Sequence, residues 1–525
     1  MGIYLNPGNE NFKMILAAPI YVDKSMMIQT LNRFIDQGNS YICVSRPRRF
    51  GKTIAGNMIS AYYSKGADSE ELFSNLAIAS TEGYIDRLNQ YNVIKIDMNG
   101  EYQTAENREN VVKNLIRKIK KEFRSQYQEI VFDEEASLAE MMLDAYTKTG
   151  IAFIIIIDEY DVLVREQVDD GLFEEYLSFL NGLFKNETLR PAIAMAYLTG
   201  ILPVVRDRVQ SKLNNFEEYT ILDAGELAEF VGFIEPEVRT LCSNYGVDFE
   251  ECRRWYDGYS QHGFEIYNPE SVVKCLVRKR FDNYWGKTST YRVIADQISR
   301  NYEGIRNDVI HMLAGESVPA EPGIFMNTVA EFKVKDEALA YLIHVGYLSY
   351  DFETGMCRIP NQEILREWQM AISVEDEYAQ TDRIIKASKQ LLEDTLSGYE
   401  EAVAKALDVS HIHVTSNRSY NNEDALQSAI YLAYIYALNQ YTVVKEMTTG
   451  KGFADVLFIP FVDDKPALII ELKHNKSAES AIDQIRRKQY YDSLEHYHGS
   501  LLFVGINYDE QEKSHRCRIE RFVKE

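Results

Sequence analysis

Apolar positions in this chain gather into short unbroken runs, and charged stretches of helical period separate them. The run Tyr41-Ile-Cys-Val-Ser45 reads as a buried strand, and after a short turn Ile54, Met58, Ile59 and Tyr62 recur at the spacing of a helix packed on a sheet. Residues 93–97, 153–157, 193–198 and 219–222 are further strand candidates, with helical patterns over 107–128 and 172–185 between them. Strands alternating with helices predict a parallel sheet covered on both faces. From Gly225 to about Pro360 the pattern becomes helical: residues 226–245 read as a helix and Trp255-Tyr-Asp-Gly-Tyr259 as an aromatic turn, because Asp-Gly suits a positive φ. An acidic helical stretch over 375–400 follows. Beyond Glu423 the order is helix (424–433), strands (442–445, 452–458, 467–473) and a helix carrying Ala481, Gln484, Ile485, Lys488 and Tyr490. The fold class expected is α/β in three parts: a parallel-sheet domain over 1–224, a helical region over 225–365, and a second α/β domain over 366–525.

The length of 525 residues agrees with about three domains. With 46% hydrophobic and 26% charged residues the composition is that of an ordinary globular protein. No apolar run approaches the roughly 20 residues that span a bilayer. The first residues lack the basic and apolar regions of a signal peptide, so a cytoplasmic location without membrane partners is expected. Six scattered cysteines suggest neither a disulfide framework nor a zinc ribbon. The net charge of −23 excludes a generally basic coat for nucleic acid, although an acidic protein can still carry a local cationic groove.

The turn after the first strand is Arg46-Pro-Arg-Arg-Phe-Gly-Lys-Thr53. Gly-Lys-Thr between a strand and a helix is the chemistry of a phosphate cradle: backbone N–H groups face the phosphates, Lys52 neutralises the β/γ oxygens and the Thr53 hydroxyl holds Mg²⁺. The first glycine of that motif is replaced by Arg46. Arg46, Arg48 and Arg49 either add phosphate contacts or brace the turn; Arg48 and Arg49 join Gly51, Lys52 and Thr53 as nucleotide-binding candidates. Ile154-Ile-Ile-Ile-Asp158-Glu159 ends a buried strand on two carboxylates, a Walker B pattern. Asp158 is suited to the Mg²⁺ shell and Glu159 to polarising the attacking water. Alone, such a pair also reads as a cap or a solvated charge. Thr199, at the end of the next strand, is placed to sense the γ-phosphate, with a turn threonine as the alternative. Arg206 and Arg208 are phosphate-sensing candidates against a background of ordinary surface arginines.

These residues, with Phe12 and Ile20-Tyr-Val-Asp-Lys24, resemble the AAA-ATPase-like proteins of gut and anaerobic bacteria and of archaea. The resemblance covers most of the chain. It implies a P-loop NTPase parallel-sheet domain over 1–224, a helical lid or connector over 225–365, ATP as ligand, an arginine-rich loop in place of the first glycine, and Tyr21 and Asp23 near the adenine. It leaves a homo-oligomer open, since related ATPases often act through neighbouring subunits.

Near the C-terminus, strand alternation puts Glu471 and Lys473 on one face, and Asp455 on a neighbouring strand completes a set. Asp455 and Glu471 are candidate ligands for one or two Mg²⁺ ions, with Lys473 orienting the water or the scissile phosphate. An ion pair between Glu471 and Lys473 is the plainer reading. The pattern resembles the PD-(D/E)xK nuclease superfamily, and this resemblance implies an α/β restriction-endonuclease-like domain over 366–525 and adds Glu423 as a metal ligand and Gln484 and Tyr490 as accessory residues. For each a bland rival stands beside it, such as a helix N-terminal charge for Glu423. Lys476, Arg486, Arg487 and Lys488 offer cations for a nucleic-acid backbone, DNA or RNA, or else form a solvated helix face. The leading expectation is an ATPase that controls a Mg²⁺-dependent nuclease. The others are a nucleotide-gated binding or signalling module that does not cleave, and an ATPase with a structural C-terminal domain.

Overall fold

A computed structural model describes all residues except 205–212, 262, 287–304, 314, 325–331, 333, 374–378, 415–429, 431, 432, 435, 438, 439, 450, 451, 461–464, 490–498 and 523–525. Arg206, Arg208, Glu423 and Tyr490 therefore lie outside the described residues. The chain divides into two compact units, one of Met1–Thr288 with Pro319–Ile364, the other of Ser289–Val318 with Leu365–Glu525.

The first unit is built on five strands, β1 (Tyr41–Ser45), β2 (Asn92–Asp97), β3 (Phe153–Asp158), β4 (Ile193–Gly200) and β5 (Glu217–Tyr219). Their order is β2-β3-β4-β1-β5, and all four neighbouring pairs are parallel. Strands buried on both faces can be apolar throughout, and Ile154 to Ile157 are each 0% exposed. Phe153, Ile155 and Ile157 face a core shared with the helices Val111–Gln126, Leu138–Thr149 and Asp170–Phe184. On the other face the helix Lys52–Tyr63 lies close enough that a Cβ on Gly56 would sit 3.7 Å from Ile156 Cγ2. Burying one such side chain contributes about 1.5–3 kcal/mol. The first residues run along β2: Leu5 bridges Ile94 in antiparallel fashion, Lys95 N donates to Tyr4 O, and Glu122 accepts from the N–H groups of Ile3, Tyr4 and Leu5.

Two expectations for this unit need correction. The fifth strand ends at Tyr219 and does not extend over 219–222, because the Thr220 hydroxyl accepts from Leu222 N and Asp223 N and turns the chain. The helix expected over 226–245 begins only at Glu235: Phe233–Ile234 (β6) precedes it, Pro236 lies in its first turn, and Glu237 reaches back to accept from Ile234 N. β6 pairs with β8 (Phe264–Tyr267), which also pairs with β7 (Tyr259–Gln261), so the region is helical with small sheets added. Farther along come the two-residue strand Val318–Pro319 (β9) and an antiparallel hairpin of Ser349–Asp351 (β10) and Met356–Arg358 (β11).

The second unit carries a mixed sheet of β12 (Tyr441–Thr449), β13 (Gly452–Pro460), β14 (Ala467–His474), β15 (Leu501–Asp509) and β16 (Ser514–Phe522), in that order. β14 and β15 are parallel and the other neighbours antiparallel. Leu468, Ile470 and Leu472 face a core with Leu391, Leu392, Val403 and Leu407 of the helices Ala379–Ser397 and Glu400–Val414. Ala467 and Ile469 face Ile482 and Ile485 of the helix Ala478–Lys488. That helix lies tight on β15, where a Cβ added to Gly505 would come within 2.3 Å of Ala478 O. β15 and β16 were not anticipated from the sequence. The architecture is the α/β class expected, a parallel-sheet domain and a C-terminal mixed sheet with helices on both faces.

Candidate functional site

In the first unit the chemistry collects where β1, β3 and β4 end. β4 lies between β1 and β3, so Thr199 separates the loop after β1 from the carboxylates closing β3. The backbone joins all three: Arg46 N donates to Gly200 O at 3.1 Å and Tyr160 N to Thr199 O at 2.9 Å. The Thr199 hydroxyl donates to Asp158 Oδ1, which also accepts from Glu159 N at 3.1 Å.

Gly51, at φ 90°, turns the loop into the helix beginning at Lys52, a conformation that only glycine adopts without strain. Lys52 is buried, and its Nζ donates to the carbonyls of Arg46 and Pro47, both at 2.9 Å. Burial draws its pKa down, while Glu159, Asp158 and Asp161 act in the opposite sense, which places three carboxylates within electrostatic reach of the amine. Thr53 is exposed at the helix start.

The arginines separate by role. Arg46 is fully buried and donates to Ser45 O and Tyr219 O, both at 3.0 Å, bracing β1 against β5; burial lowers its pKa to about 10. Arg49 donates to Tyr284 O and lies 3.5 Å from Glu270, so its charge is engaged by the region beyond the sheet. Arg48 is exposed. Phe50 is buried edge-on against Tyr259 and Trp285. Asp23 accepts from Ser25 N and Ala77 N, a turn-closing role.

Glu159 has φ 52°, in the left-handed region. Burial pushes its carboxyl up, and Lys52 and Arg165 pull it down. Neither Asp161 nor Arg165 was singled out from the sequence. Asp161 Oδ2 accepts from Ile201 N (3.0 Å), Leu202 N (2.9 Å) and Arg165 Nε (3.0 Å), and the other arm of Arg165, Nη2, donates to Glu159 Oε2. The spacing of Asp161 and Arg165, four residues apart on a helical turn, was the available signal. Lys95 of β2 was also missed; it is partly buried and donates to Asn57 Oδ1 of the helix Lys52–Tyr63.

In the second unit Glu471 and Lys473 of β14 share a face as alternation requires. Lys473 Nζ donates to Glu471 Oε1 at 2.7 Å and to Leu472 O at 2.9 Å. Asp455 of β13 accepts from Leu472 N at 2.6 Å, so all three expected residues come together at one place in the sheet. Glu471 is 1% and Lys473 6% exposed. Asn507 of β15, in register with Lys473, accepts from Lys476 N at 2.8 Å and fixes the turn after β14; sequence reasoning did not single it out. Gln484 is half-buried on the helix Ala478–Lys488, and Arg486 and Arg487 are exposed, Arg486 paired with Glu520. Among the described residues no group of three or more His, Cys, Asp or Glu side chains is placed to hold a metal. The donors at both sites are oxygens alone, a hydroxyl with a carboxylate in one and two carboxylates in the other, which suits a hard divalent cation. No helix among the described residues is long and apolar enough to cross a membrane.

Residues 7–210 match the family model of a predicted AAA-ATPase, and residues 421–517 match that of the PD-(D/E)XK nuclease superfamily. The chain thus carries an AAA-ATPase-like domain followed by a nuclease-superfamily domain. An uncharacterized protein from the vnfD 5' region of Azotobacter chroococcum mcd 1 is 25% identical over 294 residues, which are 53% of this chain and 52% of that one. The chain spans about half the length of this curated relative. A solved structure of the Aeropyrum pernix ORC2 protein in ADPNP-ADP complexes aligns with 67% of this chain and 96% of its own at 10% identity, with a TM-score of 0.28.

Proposed function

We propose that the first domain binds and hydrolyses ATP and thereby controls a Mg²⁺-dependent nuclease in the C-terminal domain. The observation that carries this reading is the meeting of Asp455, Glu471 and Lys473, with Lys473 Nζ 2.7 Å from Glu471 Oε1 and Asp455 bonded to the intervening Leu472 N–H. At the first site Lys52 neutralises the phosphates, Thr199 orients Asp158, and Glu159 directs water at the γ-phosphate; Thr53 and Asp158 would hold Mg²⁺. At the second, Asp455 and Glu471 would hold the cation, which supplies an activated water and charge stabilisation at the scissile phosphate. Lys473 keeps Glu471 oriented and contributes positive charge beside it. The nucleic acid follows the exposed cations Arg486 and Arg487. The domain boundaries assigned are 1–224, 225–365 and 366–525, and self-association of the ATPase part belongs to the same proposal.

The near-complete burial of Glu471 and Lys473 favours a second reading, a nuclease-like domain that binds nucleic acid or a partner without cutting it. Incubation of the full chain with single- and double-stranded DNA and RNA, in Mg²⁺ or Mn²⁺ with and without ATP, separates the two. Cleavage that disappears in Lys473→Ala, and that responds to ATP in the parent but not in Lys52→Ala, supports nucleotide-controlled cutting. Binding without cleavage across these substrates supports the second reading.

A further inference from the structure

Arg165 sits at the end of the four-residue helix Val162–Arg165, with only 11% of its side chain exposed. Its guanidinium forks between two carboxylates, Nε donating to Asp161 Oδ2 and Nη2 to Glu159 Oε2. Asp161 is itself immobilised, because the same Oδ2 accepts from Ile201 N and Leu202 N just beyond β4. The turn is held at further points: Tyr160 OH donates to Leu202 O at 2.9 Å and Tyr176 OH to Tyr160 O at 2.9 Å. Within this frame Glu159 takes a left-handed backbone conformation, the kind of local strain that persists only when its surroundings over-determine it. Both the backbone and the carboxylate of Glu159 are thus fixed, the second by Arg165.

We propose that Arg165 is a positioning residue for nucleotide hydrolysis, anchored on Asp161 and holding Glu159 Oε2 so that the carboxylate keeps one direction toward the attacking water. This deepens the ATPase reading above and rests on it. Phosphoryl transfer through a loose transition state draws mostly on placement of the nucleophile and on charge, and little on covalent help from the protein. A base held in one direction therefore gains more than it loses through the hydrogen bond that holds it. The role requires arginine: a planar fork reaches two carboxylates together, and an ammonium is a point charge that serves one well.

The test compares Arg165→Lys, Arg165→Gln, Glu159→Gln and the double variant Arg165→Lys/Glu159→Gln in the full chain. ATP turnover is read with affinity for a fluorescent ATP analogue and thermal unfolding. Lysine keeps a charge for Asp161 and preserves the fold, but loses the arm to Glu159. The expected result is a fall in kcat of about 10²-fold, the scale of an ångström's misplacement, with analogue affinity and unfolding temperature unchanged and no further loss in the double variant beyond Glu159→Gln. Arg165→Gln, which also takes the cation from buried Asp161, should lose turnover and lower the unfolding temperature as well. If Arg165→Lys turns over at the parental rate while Glu159→Gln is inactive, or if the two losses multiply, or if affinity falls in step with kcat, the proposal is overturned and the ATPase reading stands. If Glu159→Gln keeps the parental rate, the ATPase reading itself loses its base, and this inference goes with it.

Discussion

Asp161 is a fully buried carboxylate with three donors on one oxygen, two of them backbone N–H groups and the third a guanidinium. Removing one partner of a buried charge pair costs far more than the pair contributes net, because the remaining charge stays desolvated. Asp161→Ala is expected to destabilise the first unit by about 3–5 kcal/mol. Asp161→Asn keeps an acceptor for Ile201 and Leu202 and should cost about 1–3 kcal/mol. Urea unfolding followed on the ATPase transition checks both, and an alanine variant as stable as the parent would show that the carboxylate is not the anchor described. The places of Lys52, Asp158, Glu159 and Thr199 beyond or at the ends of β1, β3 and β4 were legible in the sequence, because each follows or closes an apolar run of strand length. Arg165 was not, since one of its two partners owes its place to a left-handed residue that no pattern announces. Arg46 was ambiguous for a similar reason: an arginine at a glycine position reads as a phosphate ligand until β5 is seen accepting from it.

At the scale of elements, strands buried on both faces announced themselves by unbroken apolar runs, and β1 to β4 all appeared where expected. β5 has two glutamates among its three residues and owes its pairing to its place beside β1, so its bounds were misjudged. The late start of the helix at Glu235 has the same origin, since the pairing of β6 with β8 is a tertiary fact. The helix Ala478–Lys488 meets β15 at Gly505, which stands in register with Glu471. A methyl group there would press on Ala478 O. Gly505→Ala should lift the helix, cost about 1–3 kcal/mol as overpacking does, and disturb the face that carries Glu471 and Lys473. Denaturant unfolding together with the cleavage assay checks this, and a neutral effect on both would mean that the helix can shift without consequence.

For the molecule as a whole, a net charge of −23 means that the nucleic acid of the proposed function would meet a repulsive background and depend on a local group of cations. If Lys476, Arg486, Arg487 and Lys488 supply the contacts, the logarithm of the binding constant should fall against the logarithm of salt concentration with a slope no steeper than about −4, and Arg487→Ala should reduce that slope by about one. A much steeper slope, measured by fluorescence anisotropy, would place the binding surface elsewhere. One feature of the first sheet bears on the handling of the protein. β2 ends the sheet, and the stretch from Ile3 to Asn6 lies along it with its N–H groups spoken for by Glu122 and Val93. An uncovered strand edge is a template for another chain. Shortening the protein by those first six residues should therefore leave the phosphate loop in place yet make concentrated solutions scatter light, as bare edges join into aggregates.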